Sequence, residues 1–127
     1  MKFFIDQNLG PELAEGLRVF GEDVIHLKEL FPEDTPDCKW LTYIGKNNYF
    51  LITRDRKFRY KPAEKRAFRE NNVGAFLLFG KDRTKWDLIQ QLIRNWLRIK
   101  EFAQKTKRPF AFRIPPNGTK ITKISID

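Results

Sequence analysis

The sequence predicts an α/β domain of three layers, with a mostly parallel central sheet of four to five strands and a candidate C-terminal hairpin. Three observations predict it. Short apolar, β-prone runs alternate with segments whose apolar residues recur at helical spacing. Carboxylates stand directly after the first and third of those runs, the place where open α/β sheets carry their ligand-binding groups. The 127 residues, 41% hydrophobic and including 12 Phe and 3 Trp, are enough for one core and too few for two. Residues 1–127 therefore read as a single domain.

Each element has its own warrant. Residues 2–5 (Lys-Phe-Phe-Ile) form an apolar strand ending at Asp6, and Gly10-Pro11 opens a helix with Leu13, Leu17 and Phe20 on one face. Gly21 ends that helix, residues 23–27 read as a second strand, and an acidic, Pro-bearing loop follows through Phe31 to Asp34. Thr35-Pro36-Asp37 supplies an N-cap, a proline for the first helical position and a first-turn acid, with Trp40, Leu41 and Ile44 behind. Gly45 to Asn48 closes this helix, residues 49–53 are a third strand, and residues 62–71 are helical. Residues 73–79 make a fourth strand. The longest helix covers residues 84–105, with Trp86, Ile89, Leu92, Ile93, Trp96 and Leu97 as a wide stripe expected to be core. Residues 110–114 and 120–126 flank Pro115-Pro116-Asn117-Gly118 and suit a hairpin with a loose end.

Strands that alternate with helices require crossovers, so the sheet is mostly parallel and covered on both faces. If the first strand is central, the chain reaches the second on one side and crosses back to place the third. The switch point lies between the first and third strands, where Asp6 and Asp55 both stand just past strand ends.

The charge is polarised. Five Lys and Arg face nine Asp and Glu over residues 1–53 (−4), whereas twenty face seven over residues 54–127 (+13), giving the net +9. A basic face attracts polyphosphate chains, and an acidic remainder suits a cation. The single cysteine, Cys38, cannot form an internal disulfide and fits a reducing, cytoplasmic compartment. No apolar run is long enough to span a membrane, and the first residues do not resemble a signal peptide.

Asp6, Asp37 and Asp55 are the candidate catalytic and metal-ligating residues, drawn from three separate places in the chain. Carboxylates about 4 Å apart repel by roughly 4 kcal/mol at an effective dielectric near 20, so such a cluster calls for protons or a cation. Oxygen donors without a Cys and His set favour Mg²⁺ or Mn²⁺ over zinc. Such an ion suits phosphodiester hydrolysis, because it polarises a phosphoryl oxygen and activates a water. Asn8 and Thr53 are candidates for orienting the carboxylates, with plain turn chemistry as the alternative. His26, the only histidine, reads as structural, and Cys38 lacks a partner base.

The opening FIDQNL and the stretch PDCKWLTYIGKNNYFLITRDRKF resemble PIN-domain nucleases. Those carry an Asp after the first strand and later a D-x-x-I-A-x-x-A helix running into L-V-T-x-D-x-x-F. Asp37, Asp55 and Phe58 fall on the corresponding positions, and residues 1–80 carry the resemblance. Compact PIN-like toxins of the VapC kind are the most similar, with an opening like D-E-N-L. This resemblance implies a toxin endoribonuclease dependent on Mg²⁺ or Mn²⁺, a cognate antitoxin and often a homodimer. The sequence departs in having Gln at position 7, no small Ala residues in the helix and no evident additional glutamate, for which Glu12 and Glu33 are the substitutes considered.

The basic run behind Asp55 points to RNA as partner. Arg54, Arg56, Lys57 and Arg59 are the candidate RNA-binding residues, continued by Lys61, Lys65, Arg66 and Arg69 and interleaved with Phe58 and Tyr60, which suit base stacking. The later cations Lys105, Lys107, Arg108, Arg113, Lys120 and Lys123 are expected to give diffuse attraction or partner contacts. The alternative function is a catalytically inactive PIN-like module that binds RNA or protein. A phosphoacceptor receiver needs paired acids after the first strand, and a D-x-D phosphatase needs an acid where Asn8 stands.

Overall fold

The computed structural model describes residues 1–56 and 60–126. Their elements run β1 (Lys2–Ile5), α1 (Pro11–Val19), β2 (Val24–His26), α2 (Leu27–Leu30), α3 (Asp37–Lys46), β3 (Tyr49–Thr53), α4 (Pro62–Glu70), β4 (Gly74–Leu78), α5 (Lys85–Lys105), β5 (Phe110–Ile114) and β6 (Thr122–Ile124). One sheet holds the strands in the order β2-β1-β3-β4-β5-β6. The pairs from β2 through β5 are parallel, and β6 returns antiparallel to β5. The sheet thus has six strands rather than the four to five expected, because both arms of the C-terminal hairpin join it. As expected, β1 lies between β2 and β3, which puts the switch point between β1 and β3.

Side-chain alternation sends successive residues to opposite faces. Phe3, Ile5, Phe50, Ile52, Phe76, Leu78, Phe110 and Phe112 pack with Leu13 and Leu17 of α1 and Leu88, Leu92, Trp96 and Ile99 of α5. Phe4, Leu51, Ala75, Leu77 and Ala111 face the other way, against Trp40, Leu41 and Ile44 of α3 and Phe68 of α4. The three layers are therefore α1/α5, sheet and α3/α4.

Helix ends carry recognisable chemistry. Thr84 caps α5 in a reciprocal box with Asp87. Asn47 and Asn71 each return their side-chain amide to a carbonyl one turn back, Tyr43 and Ala67, at 2.8 Å. The next residues, Asn48 and Asn72, take positive φ and turn the chain into β3 and β4. The two helices close tightly on each other, since a Cβ at Gly45 in α3 would run into the Asn71 carbonyl oxygen.

Three local expectations are corrected. Pro36, not Thr35, is the N-cap of α3, leaving Asp37 as its first residue; the Thr35 hydroxyl instead donates to the Pro32 carbonyl. Residues 27–30 form a one-turn helix, capped by His26 with Glu29 closing the box. The stripe of α5 is wider than the sheet can cover. Leu92 and Trp96 are buried, but Trp86, Ile93 and Leu97 are 69%, 54% and 75% exposed, the first two along a groove of about 310 Å³ between α1 and α5.

A candidate four-carboxylate site at the carboxyl edge of the sheet

Alternation fixes which face the acids take. Asp6 lies two residues beyond Phe4 and Thr53 two beyond Leu51, so both belong to the α3/α4 side. The Asp6 amide donates to the Ile52 carbonyl at 3.0 Å, holding the exit of β1 beside the end of β3. Asp37 starts α3 and Glu64 lies in the first turn of α4, where the positive ends of both helix dipoles favour anions.

Four elements thus deliver four acids to one place. Asp6, Asp37, Asp55 and Glu64 line a cavity of about 30 Å³ together with Trp40, Leu41, Leu51, Thr53 and Phe68. It adjoins a shallow crevice of about 380 Å³ lined by Asp6, Gln7, Asn8, Asp37, Arg54 and Asp55. Within the group, Asp37, Asp55 and Glu64 offer carboxylate oxygens all within 4.8 Å of one another. At that spacing each pair of charges repels by about 3–4 kcal/mol at a dielectric near 20. The oxygen-only donor set and the single-ion dimensions of the cavity fit a hard divalent cation. Asp6 belongs to the same cavity but lies deeper, 5% exposed, below the tight group of three.

The Thr53 hydroxyl organises the floor. It donates to Asp6 Oδ2 at 2.8 Å and accepts from the Asp55 amide at 2.9 Å and from Asn8 Nδ2 at 3.2 Å. Asn8 also reaches Asp6 Oδ2 at 3.4 Å and accepts the Arg54 amide on Oδ1 at 3.2 Å, so it ties the loop after β1 to the exit of β3. Burial pushes the Asp6 carboxyl above its ordinary range; bonds from Thr53 and the Gln7 amide oppose this, and the charges of Asp37 and Asp55 add to it. Asp6 does not cap α1, whose N-cap is Gly10 without a side-chain bond. Trp40 Nε1 donates to Asp37 Oδ1 at 3.2 Å while its ring stacks on Phe4, so the core aims this carboxylate.

The structure brings Asp6, Asp37, Asp55, Asn8 and Thr53 together and adds Glu64. Neither glutamate considered from the sequence is there. Glu12 pairs with Lys85 at 2.7 Å beside the groove on the other face, and Glu33 is an exposed loop residue that does not line the acid cavity. Two signals could have found Glu64. It is the only acid between Asp55 and Glu70, and Pro62-Ala63-Glu64 repeats the proline-then-acid opening of α3. Of the predicted RNA-binding residues, Arg54 lines the crevice and donates to the Gly80 carbonyl at 3.2 Å, and Arg56 lies over the Phe79 ring at 4.2 Å. Lys57 and Arg59 lie outside the described residues. His26 is structural: it is buried, with Nε2 2.7 Å from the Leu9 carbonyl and Nδ1 accepting the Lys28 amide. Cys38 is exposed beside Asp37.

A family model described as a PIN like domain matches residues 1–80, the segment that contains all four acids. The chain belongs to the PIN-like domain family. Comparison with curated proteins gives no match, and comparison with solved structures gives none either. A PIN-like assignment agrees with the three-layer fold and the acids at the switch point, and it places the chain among domains that are commonly nucleases. Among the described residues, no helix of this PIN-like domain is long and apolar enough to cross a membrane.

Proposed function

We propose that this PIN-like domain is an endoribonuclease dependent on Mg²⁺ or Mn²⁺, the toxin of a toxin-antitoxin pair, acting in the cytoplasm. The observation that carries the reading is the convergence of Asp6, Asp37, Asp55 and Glu64 from four elements on one small cavity. Asp37, Asp55 and Glu64 would hold the cation, with Asp6 behind them. The bound ion would offset their repulsion and polarise a phosphoryl oxygen.

The remaining roles belong to the chain itself. Thr53 and Asn8 fix the Asp6 carboxylate and the Asp55 backbone, so the acids meet substrate without reorganising. Arg54, at the crevice wall, pairs with a phosphate beside the scissile one, while the basic face behind Asp55 draws the strand in. The inactive-module alternative rested on a missing fourth acid, and Glu64 removes that support. The toxin role, a masking antitoxin and a homodimer rest on the similarity of FIDQNL and the Asp37 to Asp55 stretch to compact PIN-like toxins.

The test uses purified protein on unstructured and structured RNAs with Mg²⁺, Mn²⁺ or EDTA. Cleavage in either metal, lost in EDTA and in Asp55→Asn, is the expected result. RNA binding with no metal-dependent cleavage would overturn it in favour of a binding module. Growth arrest on induction, relieved by Asp55→Asn, tests the toxin role.

A further inference from the structure

The sheet register carries the basic surface beyond the run that follows Asp55. Thr53 pairs with Leu77 of β4, and Leu77 with Arg113 of β5, so Arg113 stands on the same row and the same face as the site's organising threonine. Two strand spacings separate them, about 10 Å. Arg113 reaches the Phe79 ring at 4.9 Å, the ring that Arg56 covers at 4.2 Å. Two guanidiniums thus share one aromatic ring just past the end of β4. Among the described residues, no carboxylate forms an ion pair with either of them.

Gathering two like charges on one ring is unfavourable without an anion to bridge them, because each cation-π contact supplies only about 0.5–1 kcal/mol at an exposed site. The placement points to the kind of anion that would fit. A strand whose scissile phosphate lies at the acids, if it continues across the carboxyl ends of β4 and β5, sets its neighbouring phosphates against this pair. Guanidinium forks suit phosphate oxygens. We propose that Arg56 and Arg113, held on Phe79, form a phosphate-binding subsite for single-stranded RNA, directing the strand across the ends of β4 and β5. This rests on the nuclease reading of the acidic site and extends it to Arg113, a residue from the far C-terminal group of cations.

The experiment measures binding of a short unstructured RNA by fluorescence anisotropy at several salt concentrations, in an Asp37→Asn background to prevent cleavage. Each lost single-strand phosphate contact lowers the slope of log affinity against log salt by about 0.7, which is about fivefold in affinity at 0.1 M salt. Arg113→Gln and Arg56→Gln should each show that loss, and the double variant about twice the slope change. Arg113→Lys should keep the slope, and Lys105→Gln with Lys107→Gln, at the opposite edge of the sheet, should change little. Melting curves accompany each variant; should Arg113→Gln unfold, Arg56→Gln and Arg113→Lys decide. A parental slope retained in Arg113→Gln or Arg56→Gln overturns the subsite alone. Failure of the Asp37→Asn parent to bind RNA in a salt-dependent way overturns the nuclease reading with it. A DNA strand of the same sequence, bound equally well, would overturn the restriction to RNA.

Discussion

Replacing Thr53 with valine should disable the site while leaving its shape intact. Valine matches threonine in volume, and the position is 2% exposed, so the change makes no cavity and isolates the hydroxyl. What is lost is the 2.8 Å donation to a buried carboxylate, a bond to a charged group worth about 1.5–3 kcal/mol net. The Asp55 amide and Asn8 side chain lose an acceptor too, but both lie nearer solvent and can turn to water. For a domain of this size, about 2 kcal/mol lowers the melting midpoint by about 5–10 °C. Thr53→Ser supplies the control: it keeps the hydroxyl and loses one methyl, about 0.8 kcal/mol. Thermal unfolding in EDTA should rank wild type, then Thr53→Ser, then Thr53→Val, and RNA cleavage should survive in the serine variant and fall sharply in the valine variant. A valine variant as stable and as active as the serine variant would refute the claim that this hydroxyl holds Asp6.

Other consequences can be checked independently. The folded state binds the Asp6 proton more tightly than the unfolded chain, so this carboxyl contributes stability fully below its ordinary value of 3.8 and loses it as pH rises through the raised value. The midpoint of Asp6→Asn minus that of wild type, in EDTA, should therefore climb with pH across that window and level off above it; the amide's loss of one acceptor shifts the whole curve without changing its slope. Glu64→Gln should fold normally and lose most metal-dependent cleavage, and full activity there would remove Glu64 from the site. Millimolar Mg²⁺ or Mn²⁺ should raise the wild-type midpoint by mass action, with the shift shrinking in Asp37→Asn and Glu64→Gln, as followed by melting with and without metal.

The parts of the fold legible in the sequence were those written as short continuous apolar runs. Phe3, Phe4 and Ile5 form the unbroken apolar run of a strand buried on both faces, and Asp6 is the point where burial gives way to chemistry. The pair Asp6 and Asp55 was legible because both follow such runs. Glu64 was hidden by its surroundings: eight cations between Arg54 and Arg69 make a lone glutamate look like charge compensation, and only the packing of α3 beside α4 on one face of the sheet brings their first turns, with Asp37 and Glu64, together. The stripe of α5 misled for the opposite reason, since periodicity marks every apolar residue alike and cannot tell Leu92, which meets the sheet, from Leu97, which meets water. His26 as the cap of α2 needed the exit angle of β2, which no local pattern specifies. Arg113 needed the register of β3, β4 and β5, a property of pairing and not of any one strand.

The division of labour between the two faces of the sheet also sets an order of events during synthesis. Residues 1–80 contain β1 to β4, both helices of the acidic face and all four carboxylates, yet much of the cover of the opposite face comes from α5, with Leu88, Leu92, Trp96 and Ile99. As the chain leaves the ribosome, Phe3, Phe50 and Phe76 wait in water until that helix emerges, about 1–5 s later at ordinary elongation rates. All four acids are thus synthesised before the core can close, and α5 both seals the sheet and ends the interval in which its aromatic residues are open to other chains.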